Sequence, residues 1–265
     1  MITVQRISKG KGPFYQVDLT TGEKIQVSED VLIKYRLLKG QELTEDSLAE
    51  IKKNSSYDFG LQQAMNYISY QLRSEKDVRT YLKEKEIHLE DRNNIVTRLK
   101  ELDLINDQVY GDSFVRTQMR LSDKGPNYLA QQLKKKGLKE HVISQALTFY
   151  EEELQLEIAT HTAEKTFNKT HGKSYKETIN KVRQTLMKKG FTSETISNAL
   201  EQATFEQDSD SEEDALTIQG EKLWRKNARF EPAKRRQKVK QSLYQKGFQL
   251  DAIQQFIELK EQEDD

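Results

Sequence analysis

The chain contains no cysteine, only three prolines and no long run of apolar residues. Without cysteine, disulfides and thiolate metal sites are excluded, which fits a reducing cytoplasm. No stretch approaches the ~20 apolar residues that a membrane-spanning helix needs. The first residues also lack the apolar core of a signal peptide. We therefore expect a cytoplasmic protein.

Recognisable catalytic motifs are missing as well. The sequence has no GxGxxG fingerprint, no P-loop and no HExxH motif. Its four histidines are scattered and lack the spacing of a metal site: His88, His141, His161 and His171. We predict that the chain is not an enzyme and that it has no catalytic residue, no metal site and no cofactor.

The composition favours helices. Hydrophobic residues make up 35% of the 265 positions and charged residues 32%, with abundant Lys, Glu and Gln. So few apolar residues suit an elongated shape with a high ratio of surface to volume better than one spherical core. The formal net charge is zero, so no general attraction to nucleic acid is implied.

One helical pattern recurs four times along the chain. An apolar anchor is followed four residues later by Leu and, in three copies, four residues after that by Gly. This spacing predicts an amphipathic helix that stops at a left-handed glycine. Apolar residues before and after each copy predict one further helix on either side, so each repeat has three helices. The anchors recur at intervals of a little more than fifty residues: Val78, Leu129, Val182 and Val239.

The flanking segments differ from the repeats. Tyr15, Val17 and Leu19 alternate with polar residues, as do Ile25 and Val27, which predicts a small β-sheet at the start. A strongly acidic stretch near residue 210 predicts a linker. The predicted fold is mainly α, with tandem three-helix repeats in an elongated curved array. The predicted order is a β-rich segment, three repeats, an acidic linker and a fourth repeat, with the ranges 1–56, 57–103, 104–153, 154–206, 207–213 and 214–265.

The second repeat carries the most distinctive sequence. It contains Leu104-Ile105-Asn106-Asp107, Phe114-Val115-Arg116, Lys124-Gly125-Pro126 and Leu133-Lys134-Lys135-Lys136-Gly137-Leu138. This sequence resembles the RecX family of regulators of the RecA recombinase. The segment Arg73-Ser74-Glu75-Lys76-Asp77-Val78-Arg79 resembles that family's first repeat. The resemblance covers about residues 60–205, and the two ends look like the longer members from Gram-positive bacteria. Glu86 departs from the pattern, because the other copies have Gly there.

The resemblance implies a function. Members of the family bind RecA, usually as its filament on single-stranded DNA, and suppress its ATPase and strand exchange. They act in recombination and SOS repair by occupying a surface. We accordingly expect a monomeric, non-catalytic protein that binds RecA and has weak direct affinity for DNA at most.

Basic clusters are the candidate contacts with RecA carboxylates or DNA phosphates. The densest lies in residues 225–240, opposed only by Glu231, and further clusters lie in the first and second repeats, the second of which also includes Lys136. We expect Arg235→Glu with Arg236→Glu to weaken filament binding without unfolding the protein. The predicted partner-binding residues are Arg73, Arg79, Arg116, Arg120, Lys124, Lys134, Lys135, Arg225, Arg229, Lys234, Arg235, Arg236 and Lys238.

Two alternatives remain open at this point. The chain is a stand-alone DNA-binding protein if three-helix units act like helix-turn-helix domains, which predicts tight, salt-sensitive binding to bare DNA. It is a nuclease or another enzyme only if a carboxylate or histidine cluster escapes recognition in the sequence.

Overall fold

A computed structural model of the protein describes residues 1–10, 12–205 and 209–264. These residues form four β-strands at the start and thirteen α-helices after and between them. The predicted fold class, mainly helical with three-helix repeats and a small β-rich start, is confirmed. The chain divides into two compact units, Met1–Ser113 with Leu133–Ile143, and Phe114–Gln132 with Ser144–Asp265.

The N-terminal strands are β1 (Ile2–Lys9), β2 (Phe14–Leu19), β3 (Lys24–Ser28) and β4 (Glu42–Leu43). They form one antiparallel sheet with the order β3-β2-β1-β4.

The pattern of burial in this sheet follows the sequence. Val17 faces Ile25 across β2 and β3, and both side chains are buried, as their alternation with polar residues predicts. A tight turn joins these two strands, and its Gly22 amide donates to the Leu19 carbonyl at 2.9 Å.

One long helix joins the sheet to the first repeat. Helix α1 (Glu29–Lys34) is short, but α2 (Glu45–Ser69) runs without a break through the predicted boundary at residue 56. Its first turns pack Leu48 and Ile51 into the core of the sheet, whereas Ala64 lies in the core of repeat 1. No proline interrupts α2, so the same helix serves both cores.

Repeat 1 is completed by α3 (Glu75–Glu84) and α4 (Leu89–Glu101). Ser74 and Asp77 form a complete capping box at the start of α3. As the repeat pattern predicts, four apolar side chains of these helices are fully buried together: Val78, Leu82, Ile95 and Leu99.

Repeat 2 consists of α5 (Asp107–Leu121), α6 (Pro126–Lys135) and α7 (Glu140–Leu147). The anchor Leu129 and the leucine four residues later, Leu133, are fully buried. Pro126 occupies the first helical position of α6, where its missing N–H costs nothing.

Repeat 3 consists of α8 (Glu152–Asn168), α9 (Tyr175–Lys189) and α10 (Ser193–Gln202). Its anchor Val182 and the leucine four residues later, Leu186, are fully buried in one apolar core.

Repeat 4 follows the same plan with α11 (Ser209–Lys226), α12 (Pro232–Lys246) and α13 (Leu250–Asp264). Its anchor Val239 and the leucine four residues later, Leu243, are fully buried in a separate apolar core.

The acidic linker predicted for residues 207–213 needs correction. Helix α11 already begins at Ser209, so residues 209–213 are helical, whereas residues 207 and 208 lie outside the described residues. The reason is electrostatic, because acidic residues near a helix start interact favourably with the helix dipole.

None of the helices in the described part of the chain combines the length and the apolarity needed to cross a bilayer.

Candidate functional site

The basic residues of repeat 4 gather around one aromatic ring. Phe230 lies between α11 and α12 and is half-buried. The guanidinium carbon of Arg229 is 5.1 Å from its ring centroid, and the ammonium groups of Lys234 and Lys238 are 5.4 Å and 4.8 Å away. All three cations are exposed, and none forms an ion pair with another described residue. Their charge is therefore available to an anionic partner.

Arg235 does not belong to this exposed group. Its guanidinium carbon stacks 3.9 Å above the ring of Trp224, and its Nε donates to the Trp224 carbonyl at 3.2 Å. Because Trp224 is buried, Arg235 holds α12 against α11. Arg235→Glu would place a carboxylate against this contact, so the double substitution with Arg236→Glu no longer separates binding from folding.

Arg225 and Arg236 are exposed but paired. Arg225 meets Glu221 at 2.8 Å within α11, and Arg236 meets Glu261 of α13 at 2.7 Å. Solvent-exposed pairs of this kind contribute little to stability, so a competing anion can replace the carboxylate at small cost.

The two predicted arginines of repeat 1 are also engaged. Arg73 stacks 4.0 Å above Tyr67, whose ring stacks in parallel on Tyr81 with 4.1 Å between centroids. Arg79 donates to Glu75 and to Asn93, both at 2.7 Å. These contacts fix both guanidinium groups within repeat 1.

Two predicted cations of repeat 2 lie against aromatic rings. Arg116 is exposed and stacks 4.0 Å above Phe149. The ammonium of Lys124 lies 5.2 Å from the Tyr128 ring and 3.7 Å from Asp123. Both side chains therefore have a preferred position while remaining accessible.

The other three predicted cations of repeat 2 are exposed. Arg120, Lys134 and Lys135 make no side-chain ion pair with any described residue. The five predicted cations of repeat 2 do not lie in one compact unit. Lys134 and Lys135 belong to the first unit, whereas Arg116, Arg120 and Lys124 belong to the second.

Three lysines have a structural role that we did not predict from the sequence. We call the second helix of each repeat its middle helix, namely α3, α6, α9 and α12. A junction is the contact between the end of one middle helix and the start of the preceding one. At the first junction, the Ser74 hydroxyl at the start of α3 donates to the Lys136 carbonyl at the end of α6, at 2.9 Å. The Lys136 ammonium returns to Asp77 at 3.1 Å. Burial lowers the pKa of Lys136, but the hydrogen bond and the charge of Asp77 outweigh it, so the pKa is raised overall. Lys136 is therefore a structural residue.

The second junction repeats this arrangement between α6 and α9. The Gly125 amide at the start of α6 donates to the Lys189 carbonyl at the end of α9, at 2.8 Å. The Lys189 ammonium pairs with Asp123, which lies just before α6. The hydrogen bond from Lys189 holds the pKa of the Asp123 carboxyl below its usual value.

The third junction joins α9 to α12. The Ser174 hydroxyl donates to the Lys246 carbonyl, and the Lys246 ammonium pairs with Glu177 at 3.1 Å. Ser174 also accepts from the Glu177 amide, but the Glu177 carboxylate faces Lys246 and does not complete a capping box. The signal in the sequence is the Lys-Gly pair at the end of one middle helix together with an acid at or just before the start of the preceding middle helix.

The glycine of each Lys-Gly pair has two roles in the junction: it ends its own helix, and it lets the partner helix approach closely. Gly137, Gly190 and Gly247 have left-handed φ angles of 88°, 89° and 98°. Only glycine allows both this helix stop and the close approach of the partner helix. In the same order, a β-carbon on these residues would lie 2.8, 2.7 and 2.6 Å from the β-carbons of Lys76, Tyr128 and Lys176.

Within the described ranges, no group of three or more His, Asp or Glu side chains comes together as a candidate metal site.

Comparisons with known proteins agree with this picture of repeats. Three family models match, described as the first, second and third three-helix domains of RecX, at residues 61–99, 106–147, and 152–200 with 210–257. The third description matches two segments, so repeats 3 and 4 resemble the same domain.

Relatives cover the whole chain. Regulatory protein RecX of Enterococcus faecalis is 57% identical over 265 residues, which is 100% of both chains. Regulatory protein RecX of Listeria monocytogenes serotype 4a is 37% identical and covers 97% of this chain and 94% of its own length.

Two solved structures are similar. A crystal structure of a regulatory protein RecX superposes with a TM-score of 0.64 at 33% identity, covering 76% of this chain and 100% of its own. The crystal structure of RecX from Lactobacillus salivarius gives a TM-score of 0.53 at 39% identity, covering 55% of this chain and 95% of its own. Because the likeness extends over the full length of the chain and includes each three-helix repeat, the chain belongs to the RecX family of regulatory proteins.

Proposed function

We propose that this protein regulates the RecA recombinase in the cytoplasm by binding the RecA filament on single-stranded DNA as a monomer. Binding lowers the ATPase and strand-exchange activities of RecA, and the protein itself catalyses no reaction. The observation that carries the proposal is membership of a family of regulatory proteins over the full length of the chain. The repeats supply a series of contact surfaces, so affinity accumulates over several weak contacts.

The contact residues with the strongest support are exposed cations that have no carboxylate partner among the described residues. Arg229, Lys234 and Lys238 surround Phe230 at the surface of repeat 4. We infer that these side chains meet carboxylates of RecA or phosphates of its DNA, whereas Arg235 acts mainly inside its repeat. The exposed cations of repeat 2 with the same properties are Arg120, Lys134 and Lys135.

The direct test is the DNA-dependent ATPase of RecA. We expect the purified protein to lower RecA's ATPase and strand exchange when added at or below the RecA concentration. If both activities are untouched at a large excess of this protein, the proposal is wrong.

A charge-reversal pair locates the contact. Arg229→Glu with Lys238→Glu changes two exposed side chains beside Phe230 and leaves the Arg235–Trp224 stack in place. We expect this variant to inhibit the ATPase less.

The matched control reverses two exposed charges on α9. Arg183→Glu with Lys188→Glu changes side chains that form no ion pair and no side-chain hydrogen bond with a described residue. We expect this control to inhibit like the unchanged protein. Equal inhibition by both double variants would exclude the repeat 4 cluster from the interface.

Direct binding to DNA is the second candidate, favoured by the cations around Phe230. It predicts fluorescence anisotropy changes with single-stranded DNA in the absence of RecA, with affinity falling steeply as salt rises. Affinity for the RecA filament that exceeds affinity for bare DNA at the same salt concentration favours the first proposal.

A further inference from the structure

In the described part of the chain, three junctions join middle helices, whereas the end of α3 and the start of α12 take part in none. The end of α3 in repeat 1 receives no hydroxyl or amide hydrogen bond of the junction type from any described residue. The start of α12 in repeat 4 likewise donates none to a lysine carbonyl in the described part of the chain. At both ends the sequence differs from that of the three junctions, and the differences fall at the positions that make the junction contacts.

At the end of α3 the altered position is the glycine. Lys85-Glu86-Ile87 stands where the other repeats have Lys-Gly followed by an apolar residue. Glu86 adopts the same left-handed conformation, with φ at 60°, so α3 ends as the other middle helices do. Left-handed backbone is unfavourable for a residue with a side chain, so the folding of repeat 1 alone gives no reason to prefer Glu there.

The side chain of Glu86 obstructs this helix end. At the equivalent glycines of the three built junctions, a β-carbon would come within 3 Å of the partner helix start. The β-carbon of Glu86 occupies that space, so a helix start cannot approach the end of α3 as closely as the junctions require.

At the start of α12 one altered position is the donor. Glu231 is the residue before α12, where Ser74 and Ser174 precede α3 and α9, and a carboxylate cannot donate to a lysine carbonyl. Glu231 cannot replace Gly125 either, because a β-carbon at Gly125 would lie 2.6 Å from the Gly190 carbonyl oxygen.

The other altered position at this start is the acid. Lys234 is the third residue of α12, where α3 has Asp77 and α9 has Glu177. An incoming Lys85 would meet a like charge in place of the carboxylate that each built junction provides.

We propose that Glu86, Glu231 and Lys234 prevent the two free helix ends from joining, so that one copy of this protein does not add to another through the junction that joins its own repeats. A junction between the end of α3 in one copy and the start of α12 in another would be a head-to-tail contact, which generates open chains when its rotation does not close. The three residues prevent this by a steric block at one end and by a missing donor and a repelled charge at the other. The proposal does not depend on RecA binding, because it concerns contacts between copies of this chain.

The test restores the junction residues. The triple variant Glu86→Gly, Glu231→Ser and Lys234→Glu supplies the glycine, the hydroxyl donor and the acid, while Lys85 remains as the partner. All three positions are exposed, so the variant should fold, which circular dichroism checks. We expect sedimentation to show a single-chain mass for the unchanged protein at all concentrations. For the variant we expect the mean mass to rise with concentration by at least about twofold, the mass of a dimer.

A control variant separates the steric block from the charges. Glu86→Ala in place of Glu86→Gly, combined with the same two changes in α12, removes the charge of Glu86 but keeps its β-carbon. We expect this variant to stay at the single-chain mass. The proposal is overturned if the folded triple variant stays at the single-chain mass, if the alanine variant associates as strongly as the glycine variant, or if the unchanged protein associates by itself.

Discussion

Gly190 at the end of α9 lies directly against Tyr128 in the first turn of α6. A β-carbon on Gly190 would be 2.7 Å from the Tyr128 β-carbon and nearer still to its backbone nitrogen, and the φ of Gly190 is left-handed at 89°. The same residue therefore ends one middle helix and contacts the start of another. The left-handed stop disfavours a side chain, and the close approach of Tyr128 excludes one.

Replacing this glycine tests both roles together. Gly190→Ala should destabilise the protein by about 3 kcal/mol or more, because the steric conflict with Tyr128 adds to the left-handed penalty of about 1–2 kcal/mol. Gly172→Ala is the control, since Gly172 is also left-handed, with φ at 67°, but its β-carbon would meet nothing nearer than 3.9 Å. Urea unfolding should show a clearly larger loss for Gly190→Ala; equal losses would contradict the close-approach role.

Ser174 offers a second test of the junctions. It is fully buried, accepts from the Glu177 amide and donates to the Lys246 carbonyl. Ser174→Ala leaves both groups without this partner and should cost about 1–3 kcal/mol.

The comparison for Ser174 is a cap without a junction. Exposed Thr192 caps α10 by accepting from the Thr195 amide, and loss of such a cap alone costs about 1 kcal/mol. A smaller loss for Ser174→Ala than for Thr192→Ala, measured by urea unfolding, would argue against the junction bond.

The ion pair at the second junction predicts a dependence on pH. The hydrogen bond from Lys189 lowers the pKa of Asp123 in the folded protein. The stabilisation is therefore complete above the unfolded carboxyl pKa of about 3.9 and disappears as pH falls through the lower folded pKa. The Asp123 side chain is 48% exposed, so screening limits the effect to less than about 1 kcal/mol.

Asp123→Asn should remove that component. We expect the variant to be less stable than the unchanged protein at neutral pH and to converge with it in strong acid, as measured by urea unfolding at several pH values. Glu201→Gln, at an exposed carboxylate without a described partner, should leave the profile unchanged. A constant difference between Asp123→Asn and the unchanged protein at every pH would contradict the assignment.

The repeats can be predicted from sequence because their signals are local. The Lys-Gly helix ends are recognisable, since a left-handed stop favours glycine. The continuity of α2 is not predictable. The residues that α2 contributes to its two cores follow one helical pattern, and nothing in the sequence shows where the contacts change from one core to the other. Each anchor lies four residues before a leucine, so both are on one face of the helix, and this apolar face is predicted to be buried. All four anchors are fully buried: Val78, Leu129, Val182 and Val239.

The candidate site is less predictable than the fold. In residues 225–240 each arginine or lysine looks equivalent in sequence, yet Arg235 packs on Trp224 while Lys234 and Arg236 stay exposed. That difference depends on how α12 lies against α11, which no spacing within α12 specifies. Lys136 likewise belongs to a basic cluster in the sequence, although it is paired in the fold with a carboxylate 59 residues away along the chain.

Arg235 and Arg236 are neighbours in α12 but should respond differently to charge reversal. Arg235→Glu places a carboxylate over the Trp224 ring and against the Trp224 carbonyl, so repeat 4 should lose about 2 kcal/mol of stability. Arg236→Glu breaks an exposed ion pair with Glu261 and should cost about 1 kcal/mol or less.

Trp224 is the only tryptophan in the chain, so its fluorescence reports on repeat 4 alone, whereas circular dichroism reports on all helices. For Arg235→Glu, we expect the fluorescence transition in urea to move to lower concentration than the circular dichroism transition. For Arg236→Glu, the two transitions should move together, and by less than the fluorescence transition of Arg235→Glu moves. Identical fluorescence midpoints for both variants would mean that the stack on Trp224 does not stabilise repeat 4, and Arg235 would then rejoin the exposed cations as a candidate partner contact.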